Sequence, residues 1–131
     1  MGRVLIVDDD TSYLMILGRL CRSAGHEVVT VDNADAARAA LAELAFDLMM
    51  FDLQMPRQEG LPLIAEVEQN PKWAPNAIVV TGFSTVAPVF TKLPIVDKGS
   101  LEDLAAFLGR IPATAARKSS PRIVVEKRIE P

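Results

Sequence analysis

The sequence has one cysteine, one histidine and no long hydrophobic run. A lone Cys21 cannot close a disulfide within the chain, so nothing implies an oxidising compartment. One Cys and one His also exclude a Cys/His zinc site within one chain. No apolar stretch approaches the roughly 18 residues that a membrane span needs. The N-terminus, MGRVLIVDDD, meets three acids where a secretory leader would end in small residues. These absences make a cytoplasmic location the expectation. Basic residues are not in excess: 14 Lys and Arg against 17 Asp and Glu give a net charge of −3. That balance argues against a bulk DNA or RNA binder.

Half of the 131 residues are hydrophobic and 24% are charged, which suits a packed core. The length fits one domain with a short appendage, so a stand-alone unit without a separate output domain is expected. The charge is unevenly spread. Residues 1–111 hold 9 basic and 15 acidic side chains, and residues 112–131 hold 5 and 2. The body is therefore net −6 and the end net +3. This shift at Ile111-Pro112 predicts a folded domain over 1–111 and a linker with a basic tail over 112–131. Within the tail, RIVVEKRI (122–129) reads either as a short strand added to a sheet edge or as a disordered basic segment.

Arg3 to Val7 is a β-branched apolar run without polar alternation, the pattern of a buried parallel strand. Asp10 or Thr11 can cap a helix carrying Leu14, Leu17, Cys21 and Ala24 on one face, stopped by Gly25. Met15 and Ile16 broaden that face and read as extra core, with a docking patch as the rival reading. Glu27 to Val31 is a second strand. Asn33 opens a helix with Ala34, Ala37, Leu41 and Leu44. Asp47 to Phe51 is a third strand, Gly60 to Gln69 a third helix, and Ala77 to Val80 a fourth strand. Ile95 and Val96 form a short fifth, and Ser100 caps a last helix with Leu101, Leu104, Ala105 and Leu108. Cys21 reads as core, His26 as a solvated turn residue, and Trp73 as a loop anchor.

Strands alternating with helices predict an α/β fold, a parallel sheet covered on both faces. Such sheets bind ligands beyond the carboxyl ends of their strands. Those ends carry Asp8 and Asp9, Asp52, Thr81 and Lys98. Clustered carboxylates repel one another and favour a hard cation, and Mg²⁺ suits carboxylates with a carbonyl and water. A carboxylate beside such a metal can attack phosphorus and form an aspartyl phosphate. The metal, an ammonium and a hydroxyl would then neutralise the phosphoryl oxygens.

At these residues the chain resembles the receiver domain of two-component response regulators. VLIVDDD is similar to the family's first strand and acidic pair. DLMMFDLQMPRQEG is similar to its Asp-x-x-Met-Pro-x-x-x-Gly phosphoacceptor segment. IVVTG and VDKGSLEDL resemble the segments around its Thr and Lys. The resemblance covers about residues 1–110. It implies a doubly wound, flavodoxin-like five-stranded parallel sheet of order 2-1-3-4-5. It implies phosphorylation of Asp52, with Thr81 hydrogen-bonded to the phosphoryl group and Lys98 paired to it. Mg²⁺ would take carboxylate oxygens of Asp9 and Asp52 and the carbonyl of Gln54, with Asp8 acting through water. Gln54 and Phe83 would stand where the family tunes loss of the phosphate. The implied partners are a histidine kinase or phosphotransfer protein and a downstream protein target. The chain is read as a switch, not an enzyme. A homodimer through the tail or an apolar helix face stays open.

Three features depart from the resemblance. Gly99 follows Lys98 where the family has Pro, so glycine's backbone freedom is expected to shape that loop. Ile95 stands in place of the family's switch aromatic. The spacing from Thr81 to Lys98 is short, and Pro88 inside a helix there would cost about 3 kcal/mol. The fourth helix is therefore expected to be missing or reduced to a turn. Lys92 rivals Lys98 but is wrongly spaced from the last helix. Two other functions fit parts of the pattern. One is a pseudo-receiver that binds a partner without phosphate. The other is a haloacid-dehalogenase-type phosphatase, using Asp8 and Asp10.

Overall fold

The computed structural model describes residues 2–100 together with Glu102, Leu104 and Ala106. Five strands alternate with helices: β1 Arg3–Val7, β2 Glu27–Val31, β3 Leu48–Phe51, β4 Ala77–Thr81 and β5 Ile95–Asp97. The helices are α1 Thr11–Ser23, α2 Ala34–Glu43 and α3 Gly60–Glu68. All strand pairs are parallel, and the order is β2-β1-β3-β4-β5. The fold is thus the doubly wound five-stranded sheet that the residues and the resemblance predict.

Every residue of β1, β3 and β4 is buried, and alternate side chains enter opposite layers. Leu5, Val7, Met49, Phe51 and Val79 join α2 and α3 in one core. Val4, Ile6, Met50, Ile78 and Val80 join α1 and Leu104 in the other. Burial on both faces explains why the strands read as unbroken apolar runs.

Local signals account for the helix ends. Asp10 caps α1 by accepting from the N–H groups of Ser12 and Tyr13. At the other end Gly25 takes φ +92°. Its N–H bonds to the Arg22 carbonyl and that of His26 to the Cys21 carbonyl, a Schellman ending. Asn33 caps α2 through the N–H of Ala36. Between β4 and β5 the chain makes only a single 3-10 turn, Ala87–Val89, containing Pro88. The reduction expected for the fourth helix is present. Ala87 and Leu93 from this segment still cover the sheet, but Phe83, Val86, Val89 and Phe90 are exposed.

Three expectations need correction. Met15 and Ile16 are not core: they are 62% and 49% exposed and line a groove on α1 with Arg19 and Leu20. The sheet is already sealed by Leu14, Leu17 and Cys21, which leaves the neighbouring positions outside. His26 is buried, not solvated, because its Nδ1 accepts the N–H of Gly2 at 2.9 Å. Gly99 does not use the left-handed region; Gly25 is the described glycine that does. The Lys98 loop is shaped instead by Asp97. Its carboxylate accepts from the Gly99 N–H at 2.7 Å and from the Ser84 hydroxyl at 2.7 Å, and its carbonyl accepts from Ser100. Glu102, Leu104 and Ala106 are helical, and the Leu104 N–H bonds to the Ser100 carbonyl. Leu101, Ala105, Leu108 and the tail over 112–131, with its candidate strand, lie outside the described residues.

Candidate acidic site at the carboxyl edge of the sheet

Sheet register brings the acids together. Val7 pairs with both Val31 and Phe51, and Phe51 with Val79. The N–H of Asp8 then bonds to the Val31 carbonyl and that of Asp52 to the Val7 carbonyl. Asp8 and Asp52 therefore leave adjacent strands at one level, where the strand order reverses between β1 and β3. Carboxylate oxygens of Asp8, Asp9 and Asp52 lie within 4.8 Å of one another. Asp8 and Asp52 are buried and Asp9 is exposed. This spacing of hard oxygen donors fits one small divalent cation.

Lys98 completes the cluster. The Lys98 N–H bonds to the Thr81 carbonyl, fixing the end of β5. Its Nζ lies 2.8 Å from Asp8 Oδ2 and 3.3 Å from Asp52 Oδ2. Burial pushes the Asp8 carboxyl up to about 6, with partial relief from Lys98 and from the Asp10 N–H. Burial also raises Asp52, against the pull of Lys98 and of the Gln54 N–H. For Lys98 burial disfavours the charge, but Asp8 and Asp52 outweigh it and the ammonium is held above its ordinary value.

Thr81 is fully buried, and its Oγ1 accepts the Phe83 N–H at 3.1 Å. That bond leaves its own proton free to donate. Gln54 is exposed at the rim, and an open cleft of about 680 Å³ joins Asp52, Gln54 and Lys98 to apolar Leu61, Phe83 and Phe90. Gly60 explains the spacing after Asp52. A Cβ there would lie 2.2 Å from the Leu53 carbonyl oxygen and 2.9 Å from that of Asp52. Only glycine lets α3 begin against this loop.

All six candidate positions, Asp8, Asp9, Asp52, Gln54, Thr81 and Lys98, thus come to one edge. The rival Lys92 does not: its N–H bonds to Glu68, on the side of α3. Asp10, which a phosphatase would need as its acid, is occupied as the cap of α1. Ile95 packs half-buried against the core, so no aromatic stands at the start of β5.

Sequence reasoning missed Tyr13. Its ring centroid lies 4.7 Å from Lys98 Nζ, and its hydroxyl donates to the Lys98 carbonyl at 3.0 Å. Burial pushes the Tyr13 phenol up to about 12, so it remains a donor at neutral pH. Its placement three residues after the cap, on the turn facing the strand ends, was the available signal.

This fold and acid cluster define a receiver. The response regulator receiver domain profile matches residues 4–94, and the chain belongs to that family. It is 35% identical over 83 residues to the DNA-binding transcriptional regulator NtrC of Salmonella typhimurium, covering 63% of this chain and 18% of NtrC. It is 32% identical over 102 residues to the transcriptional regulatory protein ZraR of the same species, covering 77% and 22%. The chain thus spans only about a fifth of these relatives. Among solved structures, the response regulator TrrA of Thermotoga maritima in complex with Mg²⁺ and BeF has a TM-score of 0.70 at 23% identity. That match covers 86% of this chain and all of TrrA. A sensor protein from Polaromonas scores 0.73 at 21% identity, covering 83% and 94%. No helix among the described residues is long and apolar enough to cross a membrane.

Proposed function

We propose that the chain is a phosphorylation-controlled switch whose Asp52 accepts a phosphoryl group from a histidine kinase or phosphotransfer protein. The observation that carries this reading is Lys98 held between Asp8 and Asp52 at one edge of the sheet. Asp52 is the proposed nucleophile. One of its carboxylate oxygens forms the bond to phosphorus as the donor's bond to phosphorus breaks. Lys98 is the proposed partner of the phosphoryl oxygens, and Thr81 donates to one of them. Asp8, Asp9 and Asp52, with the Gln54 carbonyl, are the proposed holders of Mg²⁺. The ion would supply positive charge to the transferring group.

Each chain would hold one phosphoryl group and would not turn over a substrate. The receiver unit is proposed to run to residue 111, with 112–131 as linker and basic tail. The proposed output is a contact with a downstream protein. The proposed contact surface is the segment between β4 and β5, where the fourth helix is reduced to a single turn and Phe83, Val86 and Phe90 are exposed.

Intact mass after incubation with acetyl phosphate and Mg²⁺ tests the reading. The expected result is a gain of one phosphoryl mass, lost in Asp52→Ala and lost when Mg²⁺ is removed. No gain, together with no beryllofluoride binding, would replace it with a phosphate-independent binding module.

A further inference from the structure

Lys98 lies just beyond β5, a three-residue strand that among the described residues pairs only with β4. Its side chain has four rotatable carbons and loses much freedom when its ammonium is fixed. Something must hold it, and the loop glycine does not do so through a special conformation.

Tyr13 touches this lysine at both ends. The phenol hydroxyl donates to the Lys98 carbonyl at 3.0 Å, 85 residues away in sequence. The ring face lies 4.7 Å from the ammonium of the same residue. The Tyr13 backbone is tied in turn, because its N–H bonds to the Asp10 carboxylate that caps α1. The contacts run from that cap through one aromatic ring to the cation between Asp8 and Asp52.

We infer that Tyr13 is a positioning residue for Lys98, binding its backbone by a hydrogen bond and its ammonium by a cation–π contact. The inference rests on the proposed role of Lys98 toward the phosphoryl group. Tyr13 acts through Lys98, not on the reacting atoms. A lysine held at both ends stays aimed at the acids when a phosphoryl group arrives and its charge is needed there.

A double-mutant cycle on the full chain tests this, read as the rate of phosphoryl gain from acetyl phosphate with Mg²⁺. Tyr13→Leu is expected to slow the wild-type rate about fivefold to tenfold, as loss of a partly desolvated cation–π contact implies. Tyr13→Phe keeps the ring and is expected to recover most of that loss. In a Lys98→Ala background Tyr13→Leu is expected to change nothing further. A second readout needs no phosphate: the Lys98 Hε protons are expected to shift upfield in wild type and Tyr13→Phe, and to lose that shift in Tyr13→Leu.

Equal slowing by Tyr13→Leu with and without Lys98 would overturn the inference, because the tyrosine would then be merely structural. So would an unshifted Lys98 in wild type. A wild-type chain that takes up no phosphoryl group would sink the functional reading, and with it any effect of the Tyr13–Lys98 contact on phosphoryl transfer. A persisting upfield shift would then mark the phosphate chemistry, not the Tyr13–Lys98 contact, as the point of failure.

Discussion

Asp8 is buried, shares its space with Asp52, and accepts from the Asp10 N–H at 3.0 Å. Its carboxyl is raised to about 6, above its ordinary range. The folded metal-free chain therefore binds this proton more tightly than the unfolded chain does. Between about pH 4 and 6 its contribution to stability falls as pH rises. Asp8→Asn removes the charge and keeps an oxygen for the Asp10 N–H. In the absence of Mg²⁺ at pH 7 it is expected to stabilise the fold by on the order of 1 kcal/mol. Thermal unfolding with and without Mg²⁺ checks this: the variant should melt higher without the ion and gain less from it. Residues of this kind were legible in the sequence because each closes an apolar run with a charge or hydroxyl. Tyr13 was not legible that way. A tyrosine on a helix reads as ordinary packing until the fold sets it against a lysine 85 positions later.

The elements around the site are held by backbone approaches and single tethers. Where α3 starts, the Gly60 Cα faces the Leu53 carbonyl so closely that a Cβ would lie 2.2 Å from the oxygen. Gly60→Ala must push α3 away from the Asp52 loop. The expected cost is about 3 kcal/mol, read by chemical denaturation, with slower phosphorylation as the accompanying sign. The segment between β4 and β5 depends on Glu68 at the end of α3. That carboxylate accepts from the Thr91 hydroxyl and from the Lys92 N–H at 2.7 Å, and the Thr91 hydroxyl holds it below its ordinary range. A lowered carboxylate stabilises the fold above its unfolded value, and that contribution is lost as pH falls through its folded value. Amide exchange at Lys92, corrected for intrinsic rates, should therefore lose protection as pH falls through that lowered carboxylate value. Glu68→Ala, which removes the acceptor, should show the same loss at pH 7. Pro88 announced the shortened segment, but no local pattern announced Glu68, because a long-range carboxylate anchor has no periodicity.

At the scale of the molecule, strand composition and the order of elements carried most of the fold. Each buried strand is a continuous apolar run, and turn chemistry at Asp10, Gly25 and Asn33 set the helix ends. Sidedness was harder to read. Met15 and Ile16 are as apolar as Leu14 and Leu17, and only the area already covered by the latter leaves them outside. His26 was misread for the complementary reason: its acceptor serves a distant N–H at Gly2, which no nearby residue signals. The chain order of the site has a further consequence. Asp8, Asp9, Asp52 and Thr81 all precede the segment with the single turn, and Lys98 alone follows it. That segment exposes Phe83 and Phe90, the residue type that chymotrypsin-like proteases cut beside. One nick there would divide the molecule into a fragment bearing Asp8, Asp9, Asp52 and Thr81, and a fragment bearing Lys98. The receiver is in this sense built as two complementary parts, and the cluster of acids, hydroxyl and ammonium is complete only while β5 stays zipped to β4.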